Sequence, residues 1–182
     1  YGADSVRWFI LSDSPPEKDV QWSDTGVISS SKFLQKIWNL NDQIITRNEI
    51  KEDNEITKKF VMEVDNLVAK IDQSIDEFKF NVSIAHFYEI YKIFKKYLND
   101  KVSNKSLKEN ISNIMRLMIP FTPHLAHECL EKLGCKNYNE WPKIKTNTLQ
   151  EIKFAIQING KTRDIITIEK NMDQEEIKKL II

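Results

Sequence analysis

Residues 55–79, EITKKFVMEVDNLVAKIDQSIDEFK, decide the fold class. Phe60, Val64, Leu67, Ile71, Ile75 and Phe78 recur at steps of three and four. That spacing places them on one face of a long α-helix. Neither glycine nor proline interrupts the run. Asp72, Asp76 and Glu77 lie along the opposite, polar surface and read as a solvated face rather than an acid/base pair.

Working toward the N-terminus, a charged linker covers 48–54. Before it the spacing predicts a helix over 23–46, with Ser23 as N-cap and Val27, Leu34, Ile37, Trp38, Ile44 and Ile45 as its apolar positions. Pro15 and Pro16 make 13–22 a loop. Residues 2–12 read as a short helix burying Val6, Phe9 and Ile10, with Trp8 sharing that burial.

Working toward the C-terminus, Phe80-Asn81 interrupts the pattern. A helix over 82–99 then carries Ile84, Ala85, Tyr88, Tyr91, Phe94 and Leu98, and one over 104–119 carries Leu107, Ile111, Ile114 and Met118. Pro120 stops the latter. Thr122 is the expected cap of the next helix, 123–133, with Pro123 at its first position and Gly134 where a left-handed residue is wanted. After Trp141-Pro142 the period falls to two at Ile152, Phe154, Ile156 and Ile158. Asn159-Gly160 follows, the strongest short-range hairpin signal. Asp173 and Glu176 resemble a capping box that opens a last helix.

The expected fold is mainly α: an antiparallel helical bundle followed by a truncated small α+β subdomain with a β-hairpin. The expected division is a short helix and Pro-rich loop at 1–22, the bundle at 23–149 and the start of the α+β unit at 150–182. The opening at Tyr1 and the apolar end at Ile181-Ile182 read as an excised piece of a longer protein.

Composition excludes more than it includes. The 27 basic and 27 acidic residues cancel, so nothing supports a strongly basic nucleic-acid binder or an acidic disordered tail. Only 4 Gly and 5 Pro agree with a mostly helical chain. No apolar run approaches the ~18 residues of a membrane span. Cys129 and Cys135 make no disulfide framework, which makes a reducing cytosol the expected compartment.

Phosphate-cradling glycine loops and a nucleophile elbow are absent. His124, His127, Cys129 and Cys135, with Glu128 or Glu131, form a metal-like cluster, but tetrahedral sites need more ligands than one helix turn offers. The expectation is no metal, with His124 hydrogen-bonding free backbone groups in the first turn of its helix. His86 is expected to pack beside the apolar stripe. Lys95, Lys96, Lys101, Lys105 and Lys108 read as a solvated face. Lys32 and Lys36, four apart, project together. The residues alone describe a helical bundle with a hairpin appendage and no visible catalytic site.

Longer matches carry a resemblance. Tyr1-Gly2-Ala3-Asp4-Ser5-Val6-Arg7 and Ser14-Pro15-Pro16-Glu17-Lys18-Asp19-Val20-Gln21-Trp22 are followed by Gly26-Val27, Phe33-Leu34 and Trp38. Phe80-Asn81, Ile119-Pro120-Phe121-Thr122-Pro123-His124, Trp141-Pro142 and Gln157-Ile158-Asn159-Gly160-Lys161-Thr162-Arg163 come next. In that order, across nearly the whole chain, they resemble the leucyl-tRNA synthetase family, in the region after its Lys-Met-Ser-Lys-Ser loop. The chain departs from the family pattern at His127, Cys129 and Leu130, and Lys79 replaces a common arginine.

The resemblance implies the helical tRNA-binding region of a leucine-tRNA ligase, often called the anticodon-binding domain. It implies tRNA(Leu) and the enzyme's own catalytic domain as partners, with neither membrane nor DNA. ATP and Mg are implied for the parent enzyme, no cofactor for this piece, and the piece alone is expected to be inactive. Lys32 and Lys36 fall where the family carries basic residues. With Lys161 and Arg163 they are the tRNA-binding residues the resemblance implies. Arg7 matches a family position and is assigned either to tRNA or to support of the catalytic domain. The alternatives are the equivalent region of a valyl, isoleucyl or methionyl enzyme, or a helical protein-interaction module.

Overall fold

A computed structural model describes residues 1–51, 54–138, 140–144, 151–158 and 161–169. Among them are α1 (Ala3–Asp13), α2 (Asp24–Thr46), α3 (Glu55–Asp76), α4 (Phe80–Tyr97), α5 (Asn104–Met118), α6 (Pro123–Lys132), β1 (Glu151–Ile158) and β2 (Lys161–Glu169). The fold is mainly helical. The chain divides into two compact units, Tyr1–Lys145 and Thr146–Ile182. No helix among the described residues is long and apolar enough to cross a membrane.

In the first unit α3 packs on α4, α1 on both α2 and α4, and α5 on α3 and α6. The short turn at 77–79 folds α4 back against α3. An aromatic cluster gathers these helices. Trp8 is fully buried, and its ring centroid lies 5.3 Å from Phe33, 5.8 Å from Phe87 and 6.3 Å from Phe121. Such offset and edge contacts favour aromatic pairs beyond their buried area. α1 thus supplies a central side chain of the core.

Local signals start the helices where side chains free the backbone from needing an earlier turn. The Gly26 amide donates to Ser23 Oγ at 3.2 Å, the Thr57 amide to Asn54 Oδ1 at 2.9 Å and the Ser106 amide to Ser103 Oγ at 3.2 Å. Gly134 closes α6 with φ +73°, the left-handed conformation that glycine adopts without strain. Gly26 is required for another reason. A Cβ there would stand 2.7 Å from Phe9 Cδ2 and closer still to Cε2, so α1 seats on the first turn of α2 only over a bare Cα.

Four expectations are corrected. In α1 the buried residues are Ser5, Trp8 and Phe9, while Ile10 is exposed. α3 ends at Asp76, before Phe78, whose φ of +57° places it in the left-handed region. The Lys79 amide then reaches Ser74 O at 2.8 Å, closing the helix as a glycine would, and the Phe78 ring is left 67% exposed. α4 begins at Phe80, and its buried face is Ser83, Ile84, Phe87, Ile90, Phe94 and Tyr97. Ala85 and Tyr88, expected inside, lie outside that face. Thr122 occupies the N-cap position of α6, but its side chain makes no cap there. Its hydroxyl bonds back to Met118 O.

In the second unit β1 and β2 pair antiparallel, from Glu151↔Glu169 to Ile158↔Lys161. The register steps between Ile156↔Asp164 and Gln157↔Thr162, so Arg163 falls at a β-bulge. The Asn159-Gly160 turn and the helix expected from Asp173 lie outside the described residues.

Candidate nucleic-acid interface

Two clusters of charge stand out in the sequence, and the bundle treats them oppositely. The first joins the Tyr-Gly-Ala-Asp-x-x-Arg stretch to Pro-Phe-x-Pro-His. Asp4 Oδ2 accepts from the Leu125 amide at 2.7 Å, and its Oδ1 lies 2.9 Å from His124 Nδ1. The free N–H groups at the start of α6 are thus capped by a carboxylate 121 residues away, not by Thr122 or His124. A negative group is also favoured there by the helix dipole. Arg7 donates from Nε to Phe121 O at 3.1 Å and from Nη2 to Pro120 O at 2.6 Å. Both carbonyls follow α5 and lack an intrahelical donor. Arg7 therefore has a structural role inside this chain.

The second cluster is a groove of about 410 Å³ between α2 and α4. On α2, Lys32, Phe33 and Lys36 stand at i, i+1 and i+4. On α4, Tyr88, Tyr91 and Lys92 face them. Both expected lysines are brought together here, and both are at the surface of the groove. Phe33, buried beneath them, lies 4.0 Å by ring centroid from Tyr88 and 5.8 Å from Tyr91. Trp8 Nε1 donates to the Tyr88 hydroxyl at 3.3 Å.

The cations of the groove are unanswered. Among the described residues no carboxylate lies within 4 Å of Lys32, Lys36 or Lys92. Lys95 and Lys96 of α4 and Lys105 of α5 differ from them in having side-chain partners. Lys95 Nζ bonds Gln43, while Lys96 bonds Glu63, stands 4.5 Å from the Tyr97 ring centroid and has its pKa raised by hydrogen bonds to Tyr97 and Glu63. Lys105 is 3.9 Å from Glu109. Three cations beside an aromatic floor, without acids, suit an anionic ligand that also offers flat apolar surface.

Lys92 was missed from the sequence, and Tyr88 was assigned to the core. The available signal was their i, i+4 spacing, which puts an aromatic ring and a cation side by side. Lys161 and Arg163 lie on β2, the first opposite Ile158 and the second at the bulge.

The histidine–cysteine cluster is dispersed by the fold. His124 is engaged by Asp4, and the His127 ring lies 5.9 Å from that of Tyr138. Cys129 is fully buried, and burial pushes its thiol up to about 12, so it stays protonated and inert near neutral pH. Cys135 Sγ lies 3.4 Å from Ser112 Oγ. Among the described residues no three His, Cys, Asp or Glu side chains gather as metal ligands would. His86 is half-buried, 3.5 Å from Glu89. Of the acidic face, Asp72 accepts from Trp141 Nε1 at 2.7 Å, and Glu77 pairs with Lys79.

Known proteins resemble this chain along its whole length. A leucine–tRNA ligase of Hyphomonas neptunium is 35% identical over 98% of this chain, and one of Ehrlichia canis is 33% identical over all of it. The chain spans only 22% and 23% of their lengths. It also matches, at TM-score 0.76 and 25% identity over its whole length, 25% of the chain in a crystal structure of an Agrobacterium radiobacter LeuRS–tRNA–LeuAMS ternary complex. Residues 57–179 match the family model described as the anticodon-binding domain of tRNA ligase. That match begins after α2, so the lysine pair lies in the part aligned by the relatives but not by the family model. With two-thirds of its residues inside that model, the chain belongs to the family of anticodon-binding domains of tRNA ligases.

Proposed function

We propose that this chain is the non-catalytic tRNA-holding region of a leucine–tRNA ligase. Its task is to position tRNA(Leu) while a separate catalytic domain, its partner within the enzyme, joins leucine to the RNA in the cytoplasm. The α2–α4 groove supports this reading, because among the described residues no carboxylate lies within 4 Å of its three lysines. A lysine cluster at the surface without acids is an electrostatic footprint for phosphate.

The reading divides the work. Residues 1–22 lead from the catalytic domain, 23–149 form the tRNA-holding bundle and 150–182 begin a small α+β domain that contacts tRNA through Lys161 and Arg163. Contacts of this kind position the RNA without reading its bases, because phosphate carries no sequence information. ATP and Mg²⁺ belong to the catalytic domain. No three His, Cys, Asp or Glu side chains gather among the described residues to hold Mg²⁺, so this reading derives no step of the chemistry through them.

The test is a titration of the full-length protein with tRNA(Leu) across a salt series. Removing one phosphate contact lowers the slope of log affinity against log salt by roughly 0.7–0.9. The double variant Lys32→Gln/Lys36→Gln is therefore expected to lose about 1.5 from the slope. An unchanged slope and affinity in a folded double variant would overturn the assignment.

A further inference from the structure

We propose that the α2–α4 groove seats one unstacked nucleotide of RNA, its base against the Tyr88 ring and its flanking phosphates on Lys32, Lys36 and Lys92. This rests on the tRNA-holding reading and adds what a purely phosphate-binding surface lacks, a place for a base.

The first support is the state of the Tyr88 ring. It is 37% exposed, on a helix whose Phe87 and Phe94 are buried completely or nearly so. It is also held in place. Phe33 packs on it at 4.0 Å, the Trp8 ring stands edge-on at 6.1 Å, and the Trp8 indole N–H bonds its hydroxyl. A base that stacks on a ring already fixed costs little further side-chain entropy.

The second support is the placement of the cations. Lys92 is one helical turn beyond Tyr88, so it stands beside the ring. Lys32 and Lys36 come from the facing helix, one turn apart, with Phe33 between them in sequence. Side chains at i and i+4 start ~5–6 Å apart and end in flexible stems, so the two ammonium groups reach successive phosphates of one strand. The groove volume, about 410 Å³, falls within the usual range of small-ligand sites.

The combination selects the ligand class. An acidic peptide would satisfy the lysines but makes no use of a fixed, half-exposed phenol ring. A paired RNA stem offers phosphates but keeps its bases stacked inside. An unpaired nucleotide offers both, which is how sequence-tolerant single-strand binding works.

The experiment compares Tyr88→Leu, Tyr88→Phe and Lys92→Gln in the full-length protein, with tRNA(Leu) as the probe and thermal melts to report folding. Loss of one base–aromatic stack weakens binding about tenfold. Tyr88→Leu is expected to show that loss with its salt slope unchanged, whereas Tyr88→Phe keeps the π-face and stays within about twofold of the parent. Lys92→Gln is expected to lower the slope by roughly 0.7–0.9. A folded Tyr88→Leu that binds as the parent does, while the Lys32/Lys36 double variant still loses slope, overturns the stacked nucleotide and leaves the phosphate surface standing. No slope change in any lysine variant overturns the tRNA reading itself.

A second measurement uses the unaltered protein and needs no substitution to fold. The tRNA transcript carries 5-iodopyrimidines, which cross-link to stacked aromatic rings on irradiation. An adduct on Tyr88 supports the inference, and adducts confined to other segments overturn it. Polyglutamate binding that the Lys32/Lys36 double variant abolishes and Tyr88→Leu leaves unchanged, together with unaltered tRNA affinity in Tyr88→Leu, would assign the groove to an acidic peptide and also overturn it.

Discussion

The α1–α6 clamp and the α2–α4 groove both gather charged side chains and behave as opposites. In the clamp every charge is answered: Asp4 by His124 and the Leu125 amide, Arg7 by the carbonyls of Pro120 and Phe121. In the groove, among the described residues, no carboxylate lies within 4 Å of Lys32, Lys36 or Lys92. A charge that caps backbone groups contributes to folding, because leaving a half-buried N–H or C=O unpaired is costly. A cluster of unpaired cations contributes nothing to folding and raises the local potential for an incoming anion. Charges that hold the bundle are thus distinct from charges that serve a ligand.

The sharpest way to break this distinction is Asp4→Ala. Removing a carboxylate that accepts from a backbone amide and pairs with a histidine is expected to cost about 2–3 kcal/mol in urea unfolding. A loss below about 0.5 kcal/mol, the range of ordinary surface changes, would show that the clamp is ornamental. Gly26→Ala probes the seating of α1 from its other side. The added methyl collides with the Phe9 ring, an overpacking cost of ~1–3 kcal/mol, against ~1 kcal/mol gained from replacing a helical glycine. The net expectation is destabilisation by about 1 kcal/mol; a more stable variant would mean that α1 shifts freely. The smallest effect is expected for Lys32→Gln/Lys36→Gln. Its unfolding free energy should lie within ~0.5 kcal/mol of the parent, as for surface changes that touch no structural feature. A large loss of stability there would erase the distinction between the two regions.

Much of the helical frame was legible because its causes are local. The stripe of Phe60, Val64, Leu67 and Ile71, the Ser23 cap and the left-handed Gly134 depend on residues within a turn or two of each other. Lys32 and Lys36 were legible as a pair for the same reason: a helix sets where i and i+4 point. The groove was legible only by half. Periodicity assigns a stripe to within about one residue, and a rotation of one position moves Tyr88 from the core to the surface while bringing Phe87 inside.

By itself the sequence determined which segments are helical and where most of them start, because caps, breakers and apolar spacing act over a few residues. Tertiary structure decided which charges are spent. Asp4 reaches Leu125 and Arg7 reaches Phe121 across more than a hundred residues. The facing of α2 and α4 brings Lys92 to Lys32 and Lys36. A lysine with a distant acid and a lysine with none read alike along the chain. Only packing, which sets what lies within about 4 Å of each ammonium group, makes one of them structural and leaves the other without an acid among the described residues.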